Sequence, residues 1–455
     1  TPETPTPLGA AMWRRGLHQG LRRSAAKPNA GRSRVVVVGV ETSCDDTGVG
    51  VVEWRDGGDD GAHDDDDGGS GPRARVMANV VASQLEVHRE YGGIVPVLAA
   101  RAHSRNLPYV MEAALEKAGC GWNEVDVLAV TSGPGLAPCL RVGVKAAVEL
   151  AAEHGVPLMP VNHLEGHALV ARMEERSPFP FLATVVSGGH SLLVHVNGVG
   201  EYAQLGTTQD DALGEAFDKV ARMLELGSDG DKAAGQILEE LAATGDPNAY
   251  DLTIPMLNNV GLPNFSFSGL KSAIHRIVSQ NTLSHSDKAN VAASFQRVAV
   301  EHVTNSIRRA LVLSGCQLGS GPHITTRMKR QVSKDIARKP LAKAPALARP
   351  QALVVSGGVA SNKYLRSQVE TVASVFDIPV QFPAPALCTD NGLMIAWAGL
   401  ENYLAGERGE ELERKHAIDA EDVAWEIANP RWRLEVSRRP SVLETIRKAK
   451  ESLPL

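Results

Sequence analysis

Two stretches of this chain repeat one pattern, and that repeat limits the folds open to it. Val35 to Val40 is an unbroken apolar, valine-rich run that reads as a buried strand. Thr42-Ser43-Cys44-Asp45-Asp46 follows as a turn, and Gly48 to Trp54 reads as a second strand. Ala74 to Ser83 supplies a third, so the chain opens on an antiparallel meander. Much later, Phe181 to Val186 and Ser191 to Val196 form another strand–turn–strand unit across Ser187-Gly188-Gly189-His190. An internal duplication of an α/β unit is the expectation.

The intervening pattern agrees. Val125 to Val130 reads as a strand, Leu140 to His154 as a helix and Val156 to Val161 as a strand, with a helix starting near Glu165. Ala289 to Ser314 is a long helix. Ala352 to Val355 is a strand that ends in Ser356-Gly357-Gly358, followed by a helix from Asn362, a strand to Phe382 and a helix from Asn391. Glycine is plentiful at 43 residues and aromatics make up 4%, which favours a loop-rich α/β enzyme over an aromatic-cored sandwich. The net charge of -6 argues against a protein that only coats nucleic acid, so any RNA contact must be a local patch.

The five cysteines, Cys44, Cys120, Cys139, Cys316 and Cys388, include no CxxC pair, which argues against a disulfide scaffold or a cysteine zinc site. No apolar run approaches ~18–20 residues, so no membrane span is expected. Residues 1–34 read as a transit peptide or disordered arm. After Met12 they carry Arg14, Arg15, Arg22, Arg23, Lys27, Arg32 and Arg34 with no acid, the composition of an organelle targeting segment. Residues 56–72 are nearly all Gly and Asp and read as a solvated insertion. Residues 317–350 read as an inserted basic loop, with Arg327, Lys329, Arg330, Lys334, Arg338, Lys339, Lys343 and Arg349 against Asp335. It is either a solvated insertion or a grip on RNA. The expected organisation is a catalytic domain over 35–428, in halves of about 35–162 and 163–428, and a C-terminal tail over 429–455.

Three glycine-containing turns follow strands: Glu41 to Gly48, Ser187 to His190 and Ser356 to Asn362. Such turns expose backbone N–H groups and let an anion approach closely, so together they point to a nucleotide cleft between two α/β halves. His163-Leu164-Glu165-Gly166-His167 is the sharpest local signal. On a helix its histidines share a face, a common arrangement for a divalent metal. Asp390, in the turn Cys388-Thr389-Asp390-Asn391 before a helix, is the best third ligand. Two imidazoles and one carboxylate leave positions open for a substrate oxygen. A zincin protease needs HExxH; here Glu165 stands two positions after the first histidine and falls on a different face, so that reading fails. Asp45 and Asp46 are candidates for a general base, with an Asx turn or helix cap as the structural alternative. Asp218 is a further candidate, with an intrahelical pair to Arg222 as its alternative.

These residues resemble one known family. Gly39-Val40-Glu41-Thr42-Ser43-Cys44-Asp45-Asp46-Thr47-Gly48 is similar to the opening of the TsaD/OSGEP family of tRNA threonylcarbamoyladenosine synthases, formerly called O-sialoglycoprotein endopeptidases. Further matches run through Tyr91 to Pro96, Ser132 to Leu136, His163 to His167, Val186 to His190, Glu215 to Lys219, Phe265 to Lys271, Ser356 to Asn362 and Cys388 to Gly392, covering about residues 35–403 in the family's order. The resemblance implies an actin-like ATPase (ASKHA) fold, two related α/β halves around a nucleotide cleft. It implies metal ligands at His163, His167 and Asp390 and substrate contacts at Val186, Ser187, Gly188, Gly189, His190, Asp218 and Asn362. A family glycine in a Gly-Gly-Pro turn corresponds to Gly235 of Ala234-Gly235-Gln236, a departure preceded by extra residues from Gly227 to Lys232. Glu-Thr-Ser-Cys-Asp-Asp looks like the bacterial and organellar branch. Asn429-Pro430-Arg431-Trp432-Arg433 resembles that branch's C-terminal segment, with Arg433 where Pro is usual.

The activity so implied is metal-dependent acyl transfer. The threonylcarbamoyl group of threonylcarbamoyl-AMP, made by a separate Sua/YrdC-type enzyme, passes to the adenosine on the 3′ side of the anticodon in organellar tRNA. One divalent cation per subunit (Fe, Zn, Mg or Mn), a homodimer and a mitochondrial or plastid location are the accompanying expectations. The alternatives from other classes are a small-molecule kinase of actin-like fold and a non-catalytic nucleotide-binding protein.

Overall fold

The computed structural model describes residues 34–56, 73–84, 87–88, 91, 93–227, 232–259, 261–319, 325–337, 347–407, 409–412, 420–434 and 441–445. The expected transit segment (all but Arg34), nearly all of the acidic insertion and parts of the basic insertion lie outside those residues. The chain divides into two compact units, one made of residues up to Met173 and from Asp390 onward, the other of Glu174–Thr389.

The first unit is built on a five-stranded sheet in the order β3-β2-β1-β4-β5. Its strands are β1 (Arg34–Glu41), β2 (Asp46–Arg55), β3 (Arg73–Ser83), β4 (Val127–Gly133) and β5 (Leu158–Asn162). β1, β2 and β3 pair antiparallel, as the opening meander predicts, whereas β4 and β5 extend β1 in parallel. β1 is buried along nearly its whole length because both of its faces are covered. That is why its sequence is a continuous run rather than an alternation. Val36, Val38 and Val40 pack with Leu107, Met111, Leu140 and Val144 of helices Pro96–Ala118 and Ala137–His154.

Helix Gly392–Leu404 packs directly on β1 and β2 of this unit, which is why the unit takes in residues beyond Asp390 rather than ending near 162. Glycine makes the approach possible. A Cβ on Gly39 would fall 2.1 Å from the backbone nitrogen of Ala396, and one on Gly392 would fall 2.3 Å from that of Gly50. Backbone meets backbone here, so no side chain can give way. Gly39→Ala is therefore expected to cost at least the roughly 1–3 kcal/mol typical of overpacking, read as a lower denaturant midpoint with an unchanged slope.

The expected tail also belongs to this unit in part. Asn429 N donates to the Ser132 carbonyl at 2.7 Å and the Asn162 amide donates to the Trp432 carbonyl at 3.3 Å. Trp432 is buried, and helix Ala420–Ile427 packs on helix Ala137–His154.

The second unit repeats the first. Its sheet runs β10-β9-β6-β7-β8, with β6 (Phe181–Val186), β7 (Ser191–Gly198), β8 (Glu201–Thr207), β9 (Leu353–Ser356) and β10 (Val380–Gln381). β6, β7 and β8 form an antiparallel meander, and β9 and β10 extend β6 in parallel. Strand for strand this is the order and polarity of the first sheet, so the duplication read from the sequence holds for the topology. The core of the unit gathers around helix His285–Leu313. The basic insertion, expected as a loop, contains a helix at Thr326–Ala337. Val332 explains it: that side chain is buried in the core of the unit and anchors the helix. Among the described residues no helix is long and apolar enough to cross a membrane.

Candidate active site

In open α/β sheets ligands collect at the carboxyl ends of the parallel strands. In the first unit those ends deliver Glu41 from β1, Thr131 to Gly133 from β4 and Asn162 from β5. Asn162 then caps helix His163–Leu169, its side chain accepting from Leu164 N at 2.9 Å. The cap fixes where the helix starts, and so directs His163 and His167 from one face. Asn391 does the same for the helix after Asp390, accepting from Met394 N at 2.9 Å.

The result brings together the three residues singled out as metal ligands. One donor atom from each of His163, His167 and Asp390 lies within 4.8 Å of the others. Asp390 Oδ1 stands 3.0 Å from His167 Nε2 and 3.7 Å from His163 Nε2. The imidazoles are edge to face, with ring centroids 4.8 Å apart. Both histidines are buried, while Asp390 keeps 24% of its side chain exposed, so the cluster has an open side. Burial alone would lower the pKa of His163, but Asp390 and Glu41 outweigh it and push it up to about 9. Held that way, the cluster has the electrostatics of a cation site: carboxylates demand a positive charge among them. Two imidazole nitrogens and a carboxylate oxygen fit a divalent metal. Glu165 is not part of this cluster. Its carboxylate accepts from the Asn402 amide at 3.0 Å, in keeping with the rejection of a protease.

Glu41 and His103 were not singled out from the sequence, yet both support the site. Glu41 is fully buried; its oxygens accept from Ser43 N at 2.5 Å, Thr131 Oγ1 at 2.6 Å and His163 Nδ1 at 3.2 Å. Burial opposes its charge, but His163 beside it holds its pKa below the ordinary carboxylate value. The signal was a lone acid closing an apolar run, since a carboxylate in a buried strand must be paired. His103, from helix Pro96–Ala118, donates from Nε2 to the Cys44 carbonyl at 3.0 Å and accepts at Nδ1 from Thr47 Oγ1 at 2.8 Å. Burial lowers its pKa, so it stays neutral and pins the turn that carries Asp45 and Asp46. Both acids are raised by burial; Asp45 is raised further by Asp390, and Asp46, with Asp45 beside it, reaches about 7.

The second unit assembles the residues expected to touch substrate. β6 ends at Val186, and the turn beyond it is closed by Ser187 N donating to the His190 carbonyl at 2.8 Å and His190 N to Ser187 Oγ at 3.1 Å. At Gly188 and Gly189 a Cβ would meet nothing within 4 Å, so the backbone there is open to a ligand. Gly214, at the start of helix Leu213–Met223, donates to the Ser187 carbonyl at 3.1 Å. Just beyond the neighbouring strand β9, Gly357 has φ 91°, and a Cβ there would fall 2.5 Å from the Val186 carbonyl oxygen. Only glycine serves at that position. Asn362 uses both ends of its amide within the protein, accepting from Leu365 N at 2.8 Å and donating to Gln296 at 3.0 Å. Asp218 accepts from Gly235 N at 3.1 Å, and Arg222 Nε donates to the Asp218 carbonyl oxygen at 3.4 Å. The departure at Gly235 thus leaves that glycine beside Asp218; residues 228–231 of the preceding extra segment lie outside the described residues.

The family model for TsaD, tRNA N6-adenosine threonylcarbamoyltransferase, matches residues 75–397. The chain belongs to the TsaD family. A probable mitochondrial tRNA N6-adenosine threonylcarbamoyltransferase of Arabidopsis thaliana is 37% identical over 88% of this chain and 75% of its own length. The tRNA N6-adenosine threonylcarbamoyltransferase of Agrobacterium fabrum is 40% identical over 83% of this chain and 91% of its own. Among solved structures the resemblance is more remote. Full-length HypF in its phosphate- and nucleotide-bound form gives a TM-score of 0.46 at 11% identity, over 83% of this chain and 47% of that one.

Proposed function

We propose that this TsaD-family protein transfers the threonylcarbamoyl group of threonylcarbamoyl-AMP to the N6 amine of the adenosine on the 3′ side of a tRNA anticodon. The observation that carries the reading is the convergence of His163, His167 and Asp390 in a chain whose relatives bear that activity in their names. N6 is a poor nucleophile because its lone pair is delocalised into the ring, so the electrophile must be activated. His163, His167 and Asp390 would hold a divalent metal, which would supply Lewis acidity toward the electrophile. Gly188 and Gly189 offer open backbone to the adenylate, in a turn that Gly214 and Gly357 hold by packing against Ser187 and Val186. Asp218 and Gly235 steady each other at that cradle, and Asn362 fixes the helix that follows it. The N6–carbon bond forms, the carbon–oxygen bond to AMP breaks with its electron pair going to the phosphate, and the N6 proton passes to Asp45 or Asp46.

The remaining roles follow from the same reading. The adenylate comes from a separate Sua/YrdC-type enzyme, the working species is a homodimer, and the Arg-rich first residues direct the chain to mitochondria. The mitochondrial designation of the Arabidopsis relative supports that location. The test is mass spectrometry of organellar tRNA nucleosides with and without this protein: the threonylcarbamoyl nucleoside disappears in its absence. ATP-dependent phosphorylation of a small hydroxylated substrate without tRNA would instead point to a kinase.

Helix Thr326–Ala337 is the proposed tRNA grip. Arg327, Arg330 and Lys334 are exposed and spaced three and four apart, so they share one face; Val332, buried, lies on the opposite side. In a chain of net charge -6 this is a local stripe suited to phosphates. Replacing all three by alanine should weaken tRNA binding, and should flatten the slope of log affinity against log salt by about 0.7–0.9 for each phosphate no longer neutralised. An unchanged slope would remove the helix from the interface.

A further inference from the structure

Glu41 occupies a position that its burial makes hard to explain as scaffold alone. It stands at the end of β1 with no exposed surface, in the middle of an apolar sheet. A carboxylate there is costly unless every lone pair is used. Oε1 takes the Ser43 N–H at 2.5 Å, and Oε2 takes the Thr131 hydroxyl at 2.6 Å and His163 Nδ1 at 3.2 Å. Ser43 Oγ also lies 3.2 Å from His163 Nδ1. The Ser43 N–H and the Thr131 hydroxyl come from adjacent strand ends, so the carboxylate is clamped before it meets the imidazole.

The bond to Nδ1 has a chemical consequence. In the neutral ring that a metal requires, the nitrogen that donates to a carboxylate carries the proton, which leaves Nε2 with its lone pair. Nε2 is the nitrogen 3.7 Å from Asp390 Oδ1. A clamped carboxylate behind the ring therefore selects the tautomer, fixes the ring plane and raises the basicity of the ligating nitrogen.

We infer that Glu41 is a positioning residue for the metal: through Nδ1 of His163 it holds Nε2 toward the cation, with Thr131 and Ser43 holding Glu41 in turn. This rests on the reading of His163, His167 and Asp390 as the metal ligands. It concerns how tightly and in what geometry the ion is held, which is separable from whether transfer occurs.

The experiment titrates the full-length protein with Co²⁺ and follows the visible d–d bands alongside the thermal midpoint. Wild type is expected to bind one Co²⁺, and His163→Ala with His167→Ala to bind none. Glu41→Gln, which replaces one acceptor by an NH₂ group, should weaken Co²⁺ by about 10–100-fold and shift the d–d bands. Thr131→Val, which leaves both Glu41 and His163 in place and removes one clamp, should weaken it less and in the same direction. A purely structural Glu41 would lower the thermal midpoint of the metal-free protein and leave the affinity and the bands of the folded fraction unchanged; that result overturns the inference. Should Glu41→Gln not fold, Thr131→Val decides alone: an unaltered affinity and spectrum count against it. A wild type that binds no Co²⁺ sinks the ligand reading itself, a different failure from wild-type binding that survives Glu41→Gln.

Discussion

His167→Ala is expected to abolish metal binding and to lower transfer to tRNA by on the order of 10²–10³-fold or more, with supplied adenylate and saturating tRNA. His167 Nε2 faces Asp390 Oδ1 at 3.0 Å, and its side chain is fully buried, so no water-exposed group can take its place without rearrangement. His163→Ala should lose as much activity but more stability. It also strips Glu41 of a partner, and breaking a buried charged pair costs roughly 3–5 kcal/mol. The two variants therefore separate function from fold: equal losses of activity with a lower thermal midpoint for His163→Ala. Retained transfer by well-folded His167→Ala, measured as modified nucleoside per tRNA, would eliminate the proposed metal role.

Much of this site could be read from the sequence, for identifiable reasons. The two histidines announce themselves because four-residue spacing on a helix is local. Asp390 is 223 residues from His167 in the chain, and only its place in a turn before a helix marked it. The duplicated meanders were legible because buried strands leave continuous apolar runs. Helix Thr326–Ala337 was not, because its charged residues mask an apolar anchor, Val332. The unit boundary was not, because helix Gly392–Leu404 returns to β1 and β2 through Gly39, Gly50 and Gly392. Close glycine contacts between distant segments leave no periodicity to read. Glu41 was visible as a residue and not as a role: what it holds depends on β4 ending beside β1 and β5 beside β4.

On the proposal that Asp46 is the proton acceptor, activity and stability are expected to depend on pH with opposite signs. Burial, with Asp45 beside it, pushes its pKa from 3.8 to about 7, so the folded chain binds this proton more tightly than the unfolded chain does. Stability from this group is therefore fully present below about 3.8, falls as pH rises toward 7 and levels off above it. As a proton acceptor the same carboxylate works only when ionised, so kcat/KM should climb through pH 7 and reach a plateau. Asp46→Asn keeps the shape and removes the charge. Its thermal midpoint should match wild type near pH 4 and exceed it at pH 8, while transfer falls and the limb near pH 7 vanishes. A variant that keeps the wild-type rate and the same pH limb would assign proton removal to Asp45 instead. A variant no more stable than wild type at pH 8 would mean that Asp46 ionises in the fold as easily as it does in water. The expectation of a gain in stability at the expense of turnover follows from one cause: the turn between β1 and β2, pinned by His103, keeps a carboxylate where water cannot fully solvate it.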